Sequence, residues 1–530
     1  MIRKNVSNIV IALLGVLVGV LLVLAVNQYG SRKKIRAQYN EWRKLNLVLE
    51  TLKDQYVDTV DYKSVTDAAI EAVLSSLDPH SVYMPPAELK ESETDLAGNF
   101  EGIGIQFNVP NDTAIVLEVI PGGPSEKIGM LQGDRLLKVD STVIAGVKFP
   151  QDSMVRRMKG PAGTKVVVTV LRDGVEIPFE ITRGKIPVNS IDASFMINDT
   201  VGYVRLGKFA MTTAKEFLTA SLELLASGMK EMIFDLRDNS GGYLDQALLL
   251  SNMFLDKGDA IVYTEGLHSP REDYRADGKG LLKDIKLTVL IDEGSASSSE
   301  IFAGSIQDND RGVIIGRRSF GKGLVQKPLY FTDGSGIRLT IARFHTPSGR
   351  CIQKPYGDDY QYDIYKRYAD GEMLEVDSIK VDKAQEFHTV KGRTVYGGGG
   401  IIPDVFVPVD TTRVTDFYVN VTKKATAMRF ASYFFDTHKQ ELSSIDDFDL
   451  LMKYLDSESL KLGFLQFAAS RDGLSPSGVD EWEESEPYLM TQVKALVGRY
   501  SKLGDKAFYH IYMDIDSTIA EALKPHQLDL

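Results

Sequence analysis

The period of the apolar positions changes several times along this chain, and the changes divide it. An uncharged apolar run, Ile9 to Val26, comes first. Over 38–95 the apolar positions recur at helical spacing, first Leu45, Leu47, Val48, Leu52 and Tyr56, then Ala68, Ala69, Val73, Leu74 and Leu77. Asp78-Pro79 stops the second of these helices. Short β-branched runs separated by glycine turns fill 96–185: Val116 to Ile120, Arg135 to Val139, Lys165 to Leu171 and Ile177 to Ile181. Buried strands then alternate with helices, as in Val201 to Leu206, Thr213 to Ser227 and Met232 to Leu236, which predicts an α/β core. From 411 the pattern is mostly amphipathic helix. The predicted divisions are 1–30, 31–95, 96–185, 186–410 and 411–530.

One stretch of the core, 286–327, concentrates the candidate chemistry. Leu287, Val289, Leu290 and Ile291 read as a buried strand, Ser295 to Ser299 as a small-residue turn, and Glu300 to Gln307 as a helix. A second apolar run, Val313 to Ile315, leads into the glycine-rich stretch Gly316 to Gly323, which holds Lys322. Taken alone, Ser297 with Glu300 three residues on fits a helix capping box. The turn lacks G-x-S-x-G, so it does not read as a nucleophile elbow of the hydrolase type. Gly316 to Lys322 matches the start of a phosphate-binding loop, but Gly323 replaces the Mg²⁺-binding hydroxyl residue. Pro328 follows where a phosphate-holding helix would run, so a nucleotide site is excluded.

Taken together, GSASSSE and GKGLVQ resemble the active-site signature of the carboxyl-terminal processing peptidases, or tail-specific proteases. The resemblance extends over roughly residues 40 to 410. It implies Ser297 as nucleophile, Lys322 as its base and Gln326 as a support for the lysine. Asp235 to Gly242, D-L-R-x-N-x-G-G, is similar to a further motif of the family. Its glycines read in isolation as a tight turn. Beside the serine signature, Gly241 and Gly242 read as donors to an oxyanion, with the amide of Ser298 as another. LDPHSVY (Leu77 to Tyr83) is also common in the family, with His80 read as a turn residue. The family fold implied is a crotonase/Clp-like β-β-α superhelical core with an inserted PDZ-like module, here 96–185. In that module Gly102, Ile103, Gly104 and Ile105 are expected to bind a peptide C-terminus through converging N–H groups. Lys159 stands where the family often has arginine.

Lys322 can act as a base only when neutral, whereas a solvated lysine titrates near about 10.4. Burial is therefore expected to lower its pKa. His345 is the best conventional histidine base, but lies in a strand-like run. No metal or cofactor is called for: the seven histidines are scattered, without zinc-like spacing. A net charge of −12 argues against nucleic acid as a partner. The lone Cys351 excludes an internal disulfide.

The 18-residue run Ile9 to Val26 is at the lower limit for a membrane span and reads as an uncleaved signal-anchor, with a cleaved signal as the main rival. Arg32, Lys33, Lys34 and Arg36 outnumber Arg3 and Lys4, so the charge count alone favours the reverse orientation. The resemblance implies a single-pass inner-membrane protein with its catalytic part periplasmic or extracytoplasmic. Its expected partners are proteins with free C-termini and the membrane; homo-oligomerisation is left open. The rival reading is a noncatalytic PDZ-containing envelope adaptor. Nothing in the sequence assigns a role to 411–530.

Overall fold

The computed structural model describes residues 43–526, apart from 111, 358 and 413. The run Ile9 to Val26 lies outside the described residues. Among the described residues, no helix is long and apolar enough to cross a membrane. The chain divides into two units between Leu77 and Asp78. The first contains the helix Tyr62–Ser75, whose N-cap Asp61 accepts from the amides of Lys63 and Ser64.

The second unit is built on a six-stranded sheet. Its order is Ile191–Met196, Val201–Leu206, Glu231–Asp235, Lys286–Ile291, Val313–Gly316 and Val405–Phe406. Only the first pair is antiparallel. Strand residues alternate between two buried faces, so these segments read as continuous apolar runs. Val204, Phe234, Val289 and Ile314 face the helices Thr213–Ala226, Leu244–Asn252 and Ser298–Asp308. Tyr203, Ile233, Leu290 and Ile315 face the other way and pack with Ile519 and Ala522 from the end of the chain. The C-terminal region, predicted only as helix, thus closes the second face of the core sheet.

The expected elements appear with ends shifted by a few residues. The main correction is within 31–95, read as helical throughout: Val82–Met84 is a strand, paired with Gly336–Arg338 at the edge of a second sheet. That sheet also contains Ala260–Gly266, Ser269–Arg275 and the hairpin Leu324–Tyr330/Gly336–His345. Its pairing holds Val82 and Tyr83 against that sheet, and Asp78 fixes the preceding loop by accepting from the amides of His80 and Ser81, both at 2.8 Å.

The module within 96–185 has the strand order Ile105–Asn108, Ala114–Val119, Arg135–Val139, Lys165–Arg172 and Val175–Thr182. Ile105–Asn108 is an edge strand of this sheet. The module joins the core through the ladder Asn99–Gly102/Gly184–Pro187. The helical C-terminal region, with a core around Phe430, Phe464 and Val493, holds the module as well. Leu117 packs against that core, and Arg135 pairs with Asp436.

Candidate active site

Three neighbouring parallel strands, Glu231–Asp235, Lys286–Ile291 and Val313–Gly316, end on the same edge of the sheet. Their outgoing loops carry the D-L-R motif, the serine turn and the lysine loop, at the carboxyl ends where open α/β sheets place ligands. The loops are knit together by backbone bonds. Ala296 N–H donates to the Asn239 carbonyl at 3.0 Å, and Phe320 N–H to the Ser295 carbonyl at 2.9 Å.

The serines of the turn are not equivalent. The Ser295 hydroxyl donates to the Leu236 carbonyl at 2.8 Å, Ser298 to that of Gly242 at 3.0 Å, and Ser299 to that of Asn239 at 2.8 Å. All three are buried and fasten the turn to the D-L-R loop. Ser297 alone is half-exposed, and its hydroxyl donates to no group among the described residues. Its backbone lies at φ +55°, ψ −113°, a strained conformation for a residue with a side chain. The sharp strand-to-helix turn of a nucleophile elbow is therefore present without the G-x-S-x-G motif.

The predicted capping box is present in outline, but its halves are unequal. Ser297 N–H donates to Glu300 Oε2 at 2.8 Å, whereas the amide of Glu300 is shared between the Ser297 hydroxyl and the Ser297 carbonyl, the latter at 2.9 Å, so the hydroxyl proton stays unused. Glu300 is fully buried and does more than cap. Its Oε1 accepts from the Ser319 hydroxyl at 2.5 Å and from Gly321 N–H at 2.7 Å, and its Oε2 also accepts from Lys322 N–H at 2.9 Å. One carboxylate thereby ties the serine turn to the lysine loop. Burial raises its pKa, opposed by these donors.

Lys322 is half-buried; its amine makes no ion pair and no hydrogen bond to Ser297. Burial lowers its pKa, helped by Arg338, while Glu300 and Asp78 act in the opposite sense. The Gln326 side chain donates to the His80 carbonyl at 2.5 Å, so its nitrogen is already committed. The sequence reading missed what surrounds this lysine. His80 Nε2 lies 2.6 Å from the Tyr360 hydroxyl, Gln353 Nε2 donates to that hydroxyl at 3.3 Å, and Gln353 Oε1 accepts from Gly323 N–H at 2.9 Å. Gly323, Gln353, Tyr360, His80 and Gln326 thus form a chain of contacts that begins at the residue after Lys322 and passes through His80, close enough to feel the lysine's charge. Burial, aided by the Lys322 charge, pushes the pKa of His80 down to about 4, which keeps it neutral. His345 is stacked on Tyr263 and bonded to the Gly349 carbonyl.

Gly241 and Gly242 lie at φ +100° and +148°. A Cβ on Gly241 would sit 2.8 Å from Ser297 Cβ and 2.7 Å from the Ala296 carbonyl oxygen, so the loop abuts the serine only because the residue is glycine. Gly241 N–H is taken by Asn239 Oδ1 at 2.9 Å. Among the predicted donors, the amides open to the site are therefore those of Gly242 and Ser298. In the 96–185 module, the Ile103 carbonyl accepts from both the amide and the hydroxyl of Ser125, and Gly104 O accepts from Ile120 N–H. The amides of Ile103 and Gly104 remain open, while the side chains of Ile103 and Ile105 are buried in the module core with Met154 and Met158. Lys159 pairs with Glu91 at 3.1 Å.

Comparison with known proteins agrees with this architecture. Residues 200–364 match peptidase family S41, 102–182 match the PDZ domain, and 23–87 match the activating protease CtpB N-terminal domain. The chain is 37 % identical over 323 residues to the carboxy-terminal-processing protease of Bartonella bacilliformis, a match covering 59 % of this chain and 73 % of that one. It is 34 % identical over 321 residues to the carboxy-terminal processing protease CtpA of Bacillus subtilis, covering 59 % and 67 %. Among solved structures, the photosystem II D1 C-terminal processing protease is 27 % identical, covers 69 % of this chain and 86 % of its own, and has a TM-score of 0.38. The fold and these matches define a serine-type peptidase carrying a PDZ domain. The chain belongs to peptidase family S41, the family of the carboxy-terminal processing proteases.

Removing the Glu300 carboxylate should unfasten both loops. Glu300→Ala strands four donors, two of them on the lysine loop backbone. Each buried unsatisfied donor costs about 1–3 kcal/mol, so the variant should lose at least about 3 kcal/mol in urea unfolding. A change below about 1 kcal/mol would mean that water replaces the carboxylate at no cost.

Proposed function

We propose that this protein cleaves other proteins near their C-termini with a Ser297–Lys322 dyad, and that its PDZ domain selects free C-termini. One observation carries the dyad: of the four hydroxyls in the turn, only that of Ser297 donates to no carbonyl, and it lies beside the amides of Gly242 and Ser298, which donate to no protein acceptor. In the proposed step Ser297 Oγ attacks the scissile carbonyl while Lys322 Nζ takes its proton and returns it to the leaving amine. The product is an acyl-enzyme ester, which water hydrolyses. The developing oxyanion is met by the Gly242 and Ser298 N–H groups. Gln326 orients the lysine through its free carbonyl oxygen, its amide nitrogen being anchored on His80.

The rival, a noncatalytic PDZ adaptor, would give the strained turn and the burial of Lys322 no purpose. A fluorophosphonate should label the protein, and Ser297→Ala should abolish labelling and lower kcat by about 10³-fold or more. Lys322→Arg should be as inactive as Lys322→Ala, because a guanidinium does not deprotonate at working pH. Since the neutral amine is the active form and burial lowers its pKa, the rate should rise with pH to a midpoint below the ordinary 10.5. Substantial activity in Lys322→Arg would transfer the base role to another residue.

Substrate selection rests on the open amides of Ile103 and Gly104 and on the unpaired edge of Ile105–Asn108, the features by which PDZ domains add a peptide as a strand. Amidating a substrate's C-terminus removes the charge these amides receive. It should raise KM about tenfold or more while leaving kcat nearly unchanged. Equal cleavage of free-acid and amidated substrates would reduce the module to a structural insert.

The run Ile9 to Val26 is proposed as an uncleaved anchor that places the catalytic part outside the cytoplasmic membrane. The full-length protein should stay in the membrane pellet after alkaline carbonate extraction and be digested by protease added to spheroplasts. Release by carbonate, or protection in intact spheroplasts, would remove that assignment.

A further inference from the structure

The C-terminal region reaches the D-L-R loop through one side chain. Asp516 caps the helix Ser517–Ala522, accepting from the amides of Thr518 and Ile519 at 3.0 and 3.1 Å. The same carboxylate grips Arg237: Nη1 lies 3.0 Å from Oδ1, and Nη2 lies 2.8 Å from Oδ2. The guanidinium also holds Asp235, through Nε at 3.0 Å and Nη2 at 2.6 Å. The pair is largely out of water, with the Arg237 and Asp516 side chains 14 % and 11 % exposed.

Arg237 opens the loop that ends in Gly241-Gly242. Arg205 lies across the same carboxylate, 3.1 Å from Asp235 Oδ2, and its Nη2 donates to the Arg237 carbonyl at 3.2 Å. Arg205 and Arg237 already share Asp235, and Asp192, a third of its side chain exposed, sits against Arg205. With Asp516 in place, Arg237 is clamped between two carboxylates, one from its own strand and one from 279 residues further along the chain.

We propose that Asp516 is a positioning residue for the peptidase reaction: the C-terminal region holds Arg237, and through it the loop that aims the Gly242 amide at the scissile carbonyl. The inference rests on the reading of Gly242 as an oxyanion donor. It gives the terminal helices a part in the chemistry besides covering the core sheet. A shift of this loop affects an interaction that grows only as negative charge develops on the oxygen, so it should appear in kcat and not in substrate binding.

Asp516→Asn in the full chain separates the two roles of the carboxylate. Asparagine is as good an N-cap as aspartate, so the helix keeps its start while the negative charge facing Arg237 is lost. The expected result is a fall of about tenfold in kcat and in the rate of fluorophosphonate labelling, with KM within about twofold and an unchanged unfolding midpoint. Asp516→Ala should show the same kcat loss plus a lower midpoint. Wild-type kcat and labelling in Asp516→Asn overturn the inference, as does a kcat loss accompanied by equal losses in KM and stability. Labelling that survives Ser297→Ala removes the underlying reading of the site instead.

Discussion

The Glu300 carboxylate is the constraint on which the site depends. Strand ends in a parallel sheet deliver loops to the same edge, but nothing in the ladder fixes how far one loop stands from the next. Here a single buried acceptor takes the Ser297 amide from one loop and the Ser319 hydroxyl and the Gly321 and Lys322 amides from another. Because each bond is short and shielded from water, moving either loop leaves a buried donor unpaired. The separation of serine and lysine is set by the reach of this glutamate together with the backbone bond from Phe320 N–H to the Ser295 carbonyl.

The serine-rich turn shows how strain is held in place. Ser297 sits at positive φ, which needs support from its surroundings. Ser295, Ser298 and Ser299 provide it by spending their hydroxyls on carbonyls of the neighbouring loop. Four similar residues therefore divide into three fasteners and one hydroxyl whose proton stays unused. Gly241, pressed against Ser297 and with its own amide bonded to Asn239, acts as a spacer that leaves Gly242 open.

Much of this was legible because its signals are local. The buried strand Lys286–Ile291, the helix after Ser297, the glycine loop around Lys322 and the alternation of the β-rich module all follow from period and turn chemistry within short windows. Ser297 and Glu300 were readable as a cap, since three residues set that geometry, but the glutamate's second task on a loop 19 to 22 residues further on was not. The elbow-like turn was missed because the glycines that usually permit it are absent, and neighbouring hydroxyls stabilise the strain instead. His80 was read as a turn residue, which its backbone is, while its ring meets Tyr360, 280 positions away. The apolar faces of 411–530 announced helices but carried no sign of the sheet that they would cover. Pairing over such separations depends on the finished fold rather than on any repeat in the sequence.

The surroundings of Lys322 resolve an apparent conflict. A base needs its amine neutral, yet a buried carboxylate stands next to it in the chain of bonds, and opposite charges favour the ammonium. Glu300 is prevented from acting as a simple counter-ion by its own saturation: its oxygens already receive four donors, one of them the lysine's backbone N–H, so the amine gains no direct ion pair. Arg338 adds like-charge repulsion. Burial is the largest influence on the lysine, and it prevails over the attraction of Glu300 and Asp78. The same carboxylate can therefore fix the position of the lysine loop without fixing a proton on the lysine.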